Sequence, residues 1–419
     1  MPQTSFSSLA IVLIAAFFVP LALGLVPRFR VPGVVVEIIL GIVIGPDVLN
    51  WARADEAVRL LALIGVGFLL FLAGLELDIH QLRGPTLRSA LAALGLSAFL
   101  AIGIGYAFDA ANITKNPLLV AVTLSATSLG IVLGVLKERG ENASELGQTV
   151  IAGSSLADFS AIVALSLLFS RDASRGPTKL ILLGVFATLV VVVGAGIAWS
   201  SRLARISSIL ARLQDGTTQI RVRGAMVILV LFVVLAQKAG LETILGAFVA
   251  GSIVGLIDRE AVRTHPNFQH KLDAIGYGFL IPVFFVASGL RFDLLALTNH
   301  PSTLARVPLF LLALLVVRGI PAILYRKRLG SRGALAAGLL QATSLPFIVT
   351  ATMIGVEIGA LSAPIAAAMV AAGLVSALVF PIAALAVLSN RPSRAPSKSR
   401  LLSAPRVSHK ETLQKRRVK

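Results

Sequence analysis

Long apolar stretches separated by short polar or basic segments make up most of the chain. A helix that crosses a lipid bilayer needs about 20 mostly apolar residues, and thirteen stretches meet or approach that length. The second and the ninth are the shortest. The pattern predicts an all-α, polytopic membrane protein with a transmembrane domain over 1–390. The predicted spans are 7–26, 32–46, 57–75, 86–109, 117–136, 147–170, 178–200, 219–237, 241–257, 272–290, 303–325, 333–356 and 362–389.

The overall composition supports a membrane protein. Of the 419 residues, 56% are hydrophobic and 14% are charged, whereas about 25% of the residues in a soluble domain are charged. So few charged side chains cannot cover a water-exposed surface, which excludes a soluble globular enzyme. The chain has no cysteine, and no span brings together a nucleophile, a base and an orienting group. We therefore expect neither enzymatic activity nor a cofactor.

The formal net charge of +18 is concentrated in a C-terminal tail, residues 391–419, which holds ten Lys and Arg and one acidic residue. Its Ser, Pro and basic residues predict disorder and contact with anionic lipids. No aromatic side chain lies between the charges to stack on bases, so nucleic acid binding is not predicted. A cytoplasmic tail puts most Lys and Arg on the inside, and the odd number of spans then puts the N-terminus outside. We expect a multi-pass protein of the cell inner membrane or plasma membrane.

Three short motifs occur twice in the same order, which indicates an internal repeat. In the predicted topology each match joins one span to the seventh span after it, and this odd separation inverts the second copy. Inverted repeats are typical of secondary transporters, whose sites form where matching helices are interrupted near the middle of the membrane. We predict a first repeat at 7–170, a linker helix at 178–200 and a second repeat at 219–389. The matched motifs are 37–41 with 242–246, 74–78 with 289–293, and 126–132 with 342–349.

The third pair of motifs is predicted to interrupt the fifth and twelfth spans. Polar residues break the apolar run at 125–128 and at 341–346, where Pro346 also removes a backbone donor and clashes with the preceding turn. Unwound carbonyl groups that face each other across the bundle could coordinate a cation. The alternative is that the hydroxyl groups bond back to their own helices. The candidate residues are Thr127 and Ser128 in the first interruption and Thr343 and Ser344 in the second.

Asp158 lies near the middle of the predicted sixth span, where its short side chain cannot reach the membrane surface. An ionised carboxylate at that depth costs several kcal/mol unless it is paired, protonated or bound to a cation. Ser154 and Ser155 lie four and three residues earlier, so their hydroxyl groups share its helical face. Burial disfavours the charged form of a carboxyl group, so Asp158 could hold a proton instead of a cation. Competition of this kind is the simplest exchange mechanism, and the alternative is a structural partner of a buried base.

Three further charged residues within the predicted spans are candidate parts of the site. Arg318 lies about 12 Å from the end of its helix at 1.5 Å per residue, so a role inside the bundle beside a carboxylate is favoured over snorkelling to the surface. Arginine stays protonated in proteins, so it can balance charge but cannot carry the proton. Glu37 and Glu242 lie in the first turns of their helices, where the helix dipole and interfacial water favour a carboxylate. Both are minor candidates for the ion site.

Four motifs are found at residues 41–46, 71–78, 147–158 and 282–290. Together they resemble the monovalent cation:proton antiporter-2 family, the Kef and Nap type of sodium/proton exchanger, and the similarity runs in order over 10–390. The resemblance implies thirteen helices, a homodimer and a mobile core domain with two crossed, broken helices, here 117–136 and 333–356. It also implies that Asp158 is the ion-binding aspartate, with Thr127, Ser128 and Ser154 as its neighbours.

The sequence departs from that family in three places. Ala157 replaces the first of two adjacent acids that many electrogenic members carry, and Arg318 matches a position that is often lysine. Residues 344–347 replace an acidic Gly-Glu-Phe motif in the twelfth helix. One central carboxylate without a lysine leaves a single titratable group, which predicts electroneutral, one-for-one exchange. About thirty residues follow the membrane domain, so we expect no nucleotide gating in cis.

The sequence as a whole favours a secondary active transporter that exchanges Na⁺ or K⁺ for H⁺ by an elevator-type movement of the core. One alternative is a sodium-coupled symporter of an organic anion, which would need a wider cavity and usually two cation sites. The scarcity of further buried acids and amides argues against it. Another alternative is a channel, or a regulatory membrane protein that has lost exchange, for which Ala157 and the missing Gly-Glu-Phe acid are the best support.

Overall fold

The computed structural model describes residues 6–25, 31–76, 84–169, 184, 188, 219–262, 267–299 and 301–389. Within these ranges the regular structure is helical, as the apolar pattern predicts. The predicted linker helix at 178–200 lies outside the described residues except for positions 184 and 188. The predicted tail at 391–419 lies wholly outside them.

The described α-helices are numbered in chain order. They are α1 (Ser7–Leu25), α2 (Gly33–Ile44), α3 (Glu56–Leu75), α4 (Gly84–Ala110), α5 (Pro117–Ser125), α6 (Leu129–Glu138), α7 (Glu145–Phe169), α8 (Ile220–Lys238), α9 (Thr243–Val262), α10 (Asn267–Ile275), α11 (Ile281–Leu290), α12 (Leu294–Thr298), α13 (Pro301–Leu314), α14 (Arg326–Ala342), α15 (Pro346–Glu357) and α16 (Ala363–Ser389). A π-helical turn, Gly276–Leu280, joins α10 to α11. Another, Leu315–Gly319, is followed by the 3-10 turn Ile320–Tyr325 and leads from α13 to α14.

Nine helical stretches of the described ranges are long and apolar enough to cross a membrane. The shorter apolar helices Gly33–Ile44 and Thr243–Gly255 match the predicted second and ninth spans. One stretch, Pro301–Glu357, covers both the eleventh and the twelfth predicted spans. Gly330 separates these two, because its φ of 71° lies in the left-handed region that glycine adopts without steric cost. Twelve of the thirteen predicted stretches thus have a helical counterpart among the described residues, and the total of thirteen remains a prediction.

The described helices pack into two bundles. In the first, the scaffold bundle, α2 and α3 pack on α11, and α3 and α8 pack on α9. In the second, the core bundle, α4, α5 and α7 pack on one another, and α16 packs on α13, α14 and α15. Contacts between the bundles are sparser and involve chiefly α7 with α9 and α16 with α2 and α12. The two bundles are therefore each more tightly packed internally than against each other.

Glycine lets the scaffold helices approach until their backbones touch. A side chain at Gly74 of α3 would collide with the carbonyl oxygen of Phe248 in α9. Gly41 of α2 meets the carbonyl oxygen of Val286 in α11 in the same way. Small residues at such crossings allow the dense helix packing on which association inside a membrane depends. The scaffold bundle therefore provides a closely fitted surface beside the core.

The core bundle contains both interrupted membrane-spanning helices. The fifth span is broken between α5 and α6, at residues 126–128, and the twelfth is broken between α14 and α15, at residues 343–345. Both breaks lie inside the segments that the polar clusters predict. Each is three residues long, and we refer to them as the first and the second break.

Candidate ion-binding site

The first break is formed by residues whose backbone and hydroxyl groups bond to other helices. α5 ends at Ser125, and Ala126 is extended, with φ −76° and ψ 160°. The amide of Thr127 donates to Asp158 Oδ1 at 2.7 Å, and its Oγ1 donates to the carbonyl oxygen of Gln341 at 2.8 Å. An unwound segment inside a bilayer requires such partners, because lipid offers none.

The second break meets the first one directly. α14 ends at Ala342, and α15 begins with Pro346, at a position where a missing backbone donor costs nothing. The amide of Ser128 donates to the carbonyl oxygen of Thr343 at 2.8 Å. The hydroxyl of Thr343 instead donates to Leu339 O of its own helix, at 3.2 Å, as the alternative reading of these polar clusters predicts. The two broken helices are therefore joined at their breaks through backbone groups.

Asp158 of α7 holds the first break from the side. Besides the bond from Thr127, its Oδ2 accepts from the amide of Leu129 at 3.3 Å. That amide is the first of α6, and a negative charge is favoured at a helix N-terminus. The side chain is only half-buried, and it lines the large cavity described below. The carboxylate is thus fixed by two amides on one side and is accessible on another.

Arg318 lies in the π-helical turn before α14 and is 2% exposed. Its Nε donates to Thr127 Oγ1 at 2.9 Å, and its Nη1 donates to Ser97 Oγ at 3.3 Å. Its Nη2 lies 3.5 Å from the carbonyl oxygen of Gly153, one helical turn before Asp158. Within the described part of the chain it forms no ion pair with Asp158. Thr127 lies between the guanidinium and the carboxylate and bonds to both. The two charged groups therefore attract each other without direct contact.

Two buried hydroxyl groups of the site, those of Ser154 and Ser344, have no hydrogen-bond partner among the described residues. An unsatisfied buried polar group costs about 1–3 kcal/mol. Ser128 and Ser155 are also buried. Neither Ser154 nor Ser155 bonds to Asp158 in the described structure, although both precede it by one helical turn. Oxygen atoms that are buried and unpaired beside a carboxylate are suited to bind a cation.

A cavity of about 980 Å³ runs between the two bundles and reaches Asp158. Its walls are mostly apolar and come from α1, α2 and α3 on one side and from α6 and α16 on the other. The polar residues that line it are Thr127, Ser128, Arg139, Asp158 and Tyr277. The deepest charged group in the cavity is therefore a carboxylate, which would attract a cation.

A second, smaller cavity of about 250 Å³ lies between the bundles where α11 and α15 end and α16 begins. Ser288, Arg291 and Glu357 are among its lining residues. Arg291, which follows α11, points its Nη1 at the sulfur of Met353 in α15, at 3.1 Å. This contact joins the scaffold bundle to the core bundle at the end of the molecule opposite the large cavity.

Glu37 and Glu242, the two minor candidates, lie away from Asp158. The expectation that interfacial water surrounds Glu37 is wrong, because the side chain is 8% exposed. α2 packs closely on α11, so an early position in the helix does not bring the side chain to the surface. The carboxyl group of Glu37 has no hydrogen bond or ion pair among the described residues. Glu242 precedes α9 and is half-buried, and its amide donates to Ser166 Oγ at 3.0 Å.

Three residues that the sequence analysis did not single out belong to the site. Ser97 accepts from Arg318, and Tyr277 lines the cavity. Ser376 of α16 accepts from the amide of Ser344 at 3.2 Å, and its Oγ lies 2.9 Å from Ser344 O. A lone serine in a long apolar helix was the signal for Ser97 and Ser376, but serines are too common in such helices to mark a site by themselves.

Comparisons with known proteins agree on one family. A family model described as sodium/hydrogen exchanger, transmembrane, matches residues 13–389. The putative Na⁺/H⁺ antiporter YjbQ of Bacillus subtilis is 32% identical over 401 residues, which cover 91% of this chain and 63% of that protein. This chain therefore spans less than two thirds of that relative. The Na⁺/H⁺-K⁺ antiporter GerN of Bacillus cereus is 26% identical over 391 residues, 90% of this chain and 94% of that protein.

A solved structure has the same fold. The sodium proton antiporter MjNhaP1 from Methanocaldococcus jannaschii superimposes on this chain with a TM-score of 0.65. The match covers 91% of this chain and 98% of that one, at 18% sequence identity. Sequences this different share an architecture, and the chemistry has to be argued from the site itself.

Proposed function

The chain belongs to the sodium/hydrogen exchanger family, and from this premise we propose that it is a secondary active antiporter that exchanges Na⁺ or K⁺ for H⁺. Its predicted place among the monovalent cation:proton antiporters is thereby confirmed, and so is a multi-pass membrane protein of a transporter family. One observation carries the proposal. Asp158 accepts two backbone amides at the first break and lines a cavity of about 980 Å³.

Exchange follows because a proton and a cation compete for the same carboxylate group of Asp158. Each carboxylate oxygen has about two lone pairs, and the amides of Thr127 and Leu129 use one on each oxygen. The lone pairs that remain can take a proton or a cation. A proton on the carboxyl oxygen neutralises the charge that would bind the cation, so the two occupants exclude each other. A cation that binds to Asp158 therefore displaces the proton, and exchange is coupled when the core moves across the membrane only with one of the two bound.

Arg318 gives this exchange its charge balance. The guanidinium keeps its positive charge, and its bonds to Thr127 and Ser97 hold it near the site. With Asp158 ionised, the pair of side chains has no net charge, and it gains one positive charge from either H⁺ or Na⁺. Ala157 is buried beside Asp158 and adds no second carboxylate. Both loaded forms thus carry the same charge across the membrane, which supports electroneutral, one-for-one exchange.

The buried hydroxyl groups supply further oxygen ligands for the cation. Ser154 Oγ lies one helical turn before Asp158 and has no partner in the described structure. Thr127 and Ser128 line the cavity next to the carboxylate. We propose these three residues, with Ser155 nearby, as the cation ligands that complement Asp158. Thr343 and Ser344 support the site from the second break, through the bond that the amide of Ser128 donates to the carbonyl oxygen of Thr343.

The two cavities support alternating access by movement of the core bundle against the scaffold. The large cavity opens at the end where α1 ends and α2 begins, which the predicted topology places in the cytoplasm. At the opposite end, Arg291 with Met353 and Glu242 with Ser166 join the bundles. An elevator-type movement would break these contacts, widen the small cavity and close the large one. The sparse contacts between the bundles favour such a movement over one within either bundle.

The two alternative functions differ from antiport in what the cavity would bind. The large cavity has room for an organic molecule, but the carboxylate of Asp158 at its inner end repels an organic anion. A channel would need a polar path through both ends, whereas the described walls of the cavity are mostly apolar. The charge at the site therefore favours a cation as the transported species.

A proteoliposome assay tests the proposal. Vesicles that hold the purified protein and a fluorescent pH indicator receive pulses of Na⁺, K⁺ or Li⁺ at several pH values. We expect Na⁺ or K⁺ to move protons in the opposite direction, with a higher apparent KM for the cation at lower pH because H⁺ competes for Asp158. Cation flux without proton movement would indicate a channel. Na⁺ uptake that requires an added organic anion and moves no protons would indicate the sodium-coupled symporter.

Electroneutrality has its own test in the same vesicles. Different gradients of thiocyanate, a permeant anion that is not a proposed substrate, set the membrane potential while Na⁺ drives exchange at a constant pH gradient. We expect the exchange rate to change by less than about twofold per 100 mV, because the two loaded forms carry equal charges in opposite directions and a complete cycle moves no net charge. A steep dependence on the potential would contradict one-for-one exchange.

A further inference from the structure

Ser376 supports the backbone of the second break. It lies in α16 and is fully buried, at 0% exposure. Its Oγ accepts from the amide of Ser344 and lies 2.9 Å from Ser344 O and 2.8 Å from Gly373 O. The hydroxyl has one proton, so it donates to one of these two carbonyl groups at a time. Ser376 thus satisfies backbone groups of Ser344 that a continuous helix would have paired.

Ser376 supports the second break in the same way that Asp158 supports the first. Thr127 and Ser344 are the middle residues of their breaks, and each donates its amide to a side chain on a following helix of the core. Thr127 and Ser344 are 217 positions apart, and Asp158 and Ser376 are 218 apart. The two breaks therefore have the same kind of support, with a titratable carboxyl group in one and a neutral hydroxyl group in the other.

A single peptide group links Ser376 to the ion site. The carbonyl of Thr343 and the amide of Ser344 belong to the same peptide bond, whose atoms lie in a plane. Ser376 binds the amide side of this plane, and the amide of Ser128 donates to its carbonyl side at 2.8 Å. Without the Ser376 hydroxyl this peptide plane can rotate. The amide of Ser128 then either loses its acceptor or moves together with the plane. Ser128 is the residue after Thr127, whose amide holds Asp158.

We propose that Ser376 is a positioning residue for the cation site, acting through the peptide group between Thr343 and Ser344. This inference rests on the proposed antiport at Asp158. Ser376 fixes the second break without adding a charge, so that Asp158 remains the only group of the paired breaks that exchanges a proton. Its loss displaces the ligands at Thr127 and Ser128 and weakens cation binding, while the movement of the core between its two positions is retained.

The test is Ser376→Ala in the full-length protein, with Thr123→Val as a matched control. Thr123 is equally buried, and its hydroxyl bonds only to Leu119 O of its own helix. Two quantities are measured: Na⁺-driven proton exchange in proteoliposomes and deuterium exchange of the amides in both breaks. For Ser376→Ala we expect the KM for Na⁺ to rise about three- to tenfold, with the maximal rate changed by less than about twofold. We also expect faster amide exchange in peptides that cover 126–129 and 343–345, whereas Thr123→Val leaves all values unchanged.

The two measurements separate this inference from the proposed function. Faster amide exchange confined to 343–345, with an unchanged KM, would overturn the positioning role, because Ser376 would then support only its own break. If the wild-type protein exchanges no cation for protons, the proposed antiport fails. In that case faster amide exchange at 126–129 in Ser376→Ala still supports the link between the breaks, and unchanged exchange there refutes it.

Discussion

Two carboxyl groups within membrane-spanning helices, one in each bundle, have very different surroundings. Asp158 in the core bundle accepts two backbone amides, lies near Arg318 and lines the large cavity. Glu37 in the scaffold bundle is 8% exposed and lies among closely packed helices, and its carboxyl group has no hydrogen bond or ion pair in the described structure. Asp158, although it is more accessible, has the fixed dipoles and the open path that an ion needs. Burial of an acid inside a membrane protein is therefore a weaker sign of an ion site than its polar partners and its access.

The bundles around these two groups differ in the same way. Glycine contacts such as that of Gly41 with Val286 bring the scaffold helices together backbone to backbone. The core bundle instead gives up helical hydrogen bonds at two breaks and replaces them with side chains from α7 and α16. Such replacements leave polar groups where an ion can reach them. In the proposed mechanism, the scaffold bundle is the surface against which the core bundle moves, and the core bundle holds the ion site.

The largest expected effect comes from Asp158→Asn. The amide side chain removes the charge, and its NH₂ group faces one of the two backbone amides that Asp158 accepts, so one donor loses its partner. We expect cation-driven proton exchange to fall to the level of protein-free vesicles, with the protein still folded and monodisperse. Normal exchange by this variant would refute the assignment of the site.

Arg318→Lys should give the next largest effect. A lysine ammonium has three donors but cannot present them in the flat fork that reaches Ser97, Thr127 and the Gly153 carbonyl together. We expect at least a tenfold loss of exchange and a stability loss of about 2–3 kcal/mol, since bonds from a buried charged group are lost. Thermal unfolding followed by fluorescence-detected gel filtration measures the second quantity. The control is Arg326→Lys, whose side chain bonds only to exposed Ser331, and equal losses in both variants would contradict a special role for Arg318.

The smallest effect is expected from Glu37→Gln, which removes the same charge as Asp158→Asn. Glutamine keeps the shape of the side chain and avoids the cost of a buried charge. We expect exchange within about twofold of the wild type, consistent with the small effect of most substitutions outside the functional site, and unchanged or higher thermal stability. Initial rates in the same vesicles measure it. A loss as severe as that of Asp158→Asn would abolish the distinction between the two carboxyl groups.

The fold and the centre of the site follow from local sequence signals. Spans follow from apolar runs, the two breaks from short polar clusters, and Asp158 from an acid in the middle of a span. Each of these signals depends on residues that are close together in the chain. Helix geometry alone then gives the position of those residues along the span. The structural description of the breaks agrees with these predictions to within one or two residues.

The partners of these residues could not be predicted in the same way. Arg318 bonds to Thr127 and Ser97, which are 191 and 221 positions away, and such contacts depend on how each helix is rotated in the bundle. The prediction that Glu37 contacts interfacial water is wrong for a related reason. Its distance from the start of the helix does not show how deeply its side chain is buried among the other helices. Ser376 could have been found by extending the repeat, since it lies 218 positions after Asp158, but nothing in the apolar sequence around it marks its partner.

The most direct test of the central claim is to measure proton release when Na⁺ binds to the purified protein. The protein is placed in weakly buffered detergent solution with a pH indicator, and Na⁺ is added at constant ionic strength. If H⁺ and Na⁺ compete for Asp158, the wild type and Glu37→Gln release up to one proton per bound Na⁺, and Asp158→Asn releases none. Na⁺ binding without proton release in the wild type, or equal release from Asp158→Asn, would contradict the account.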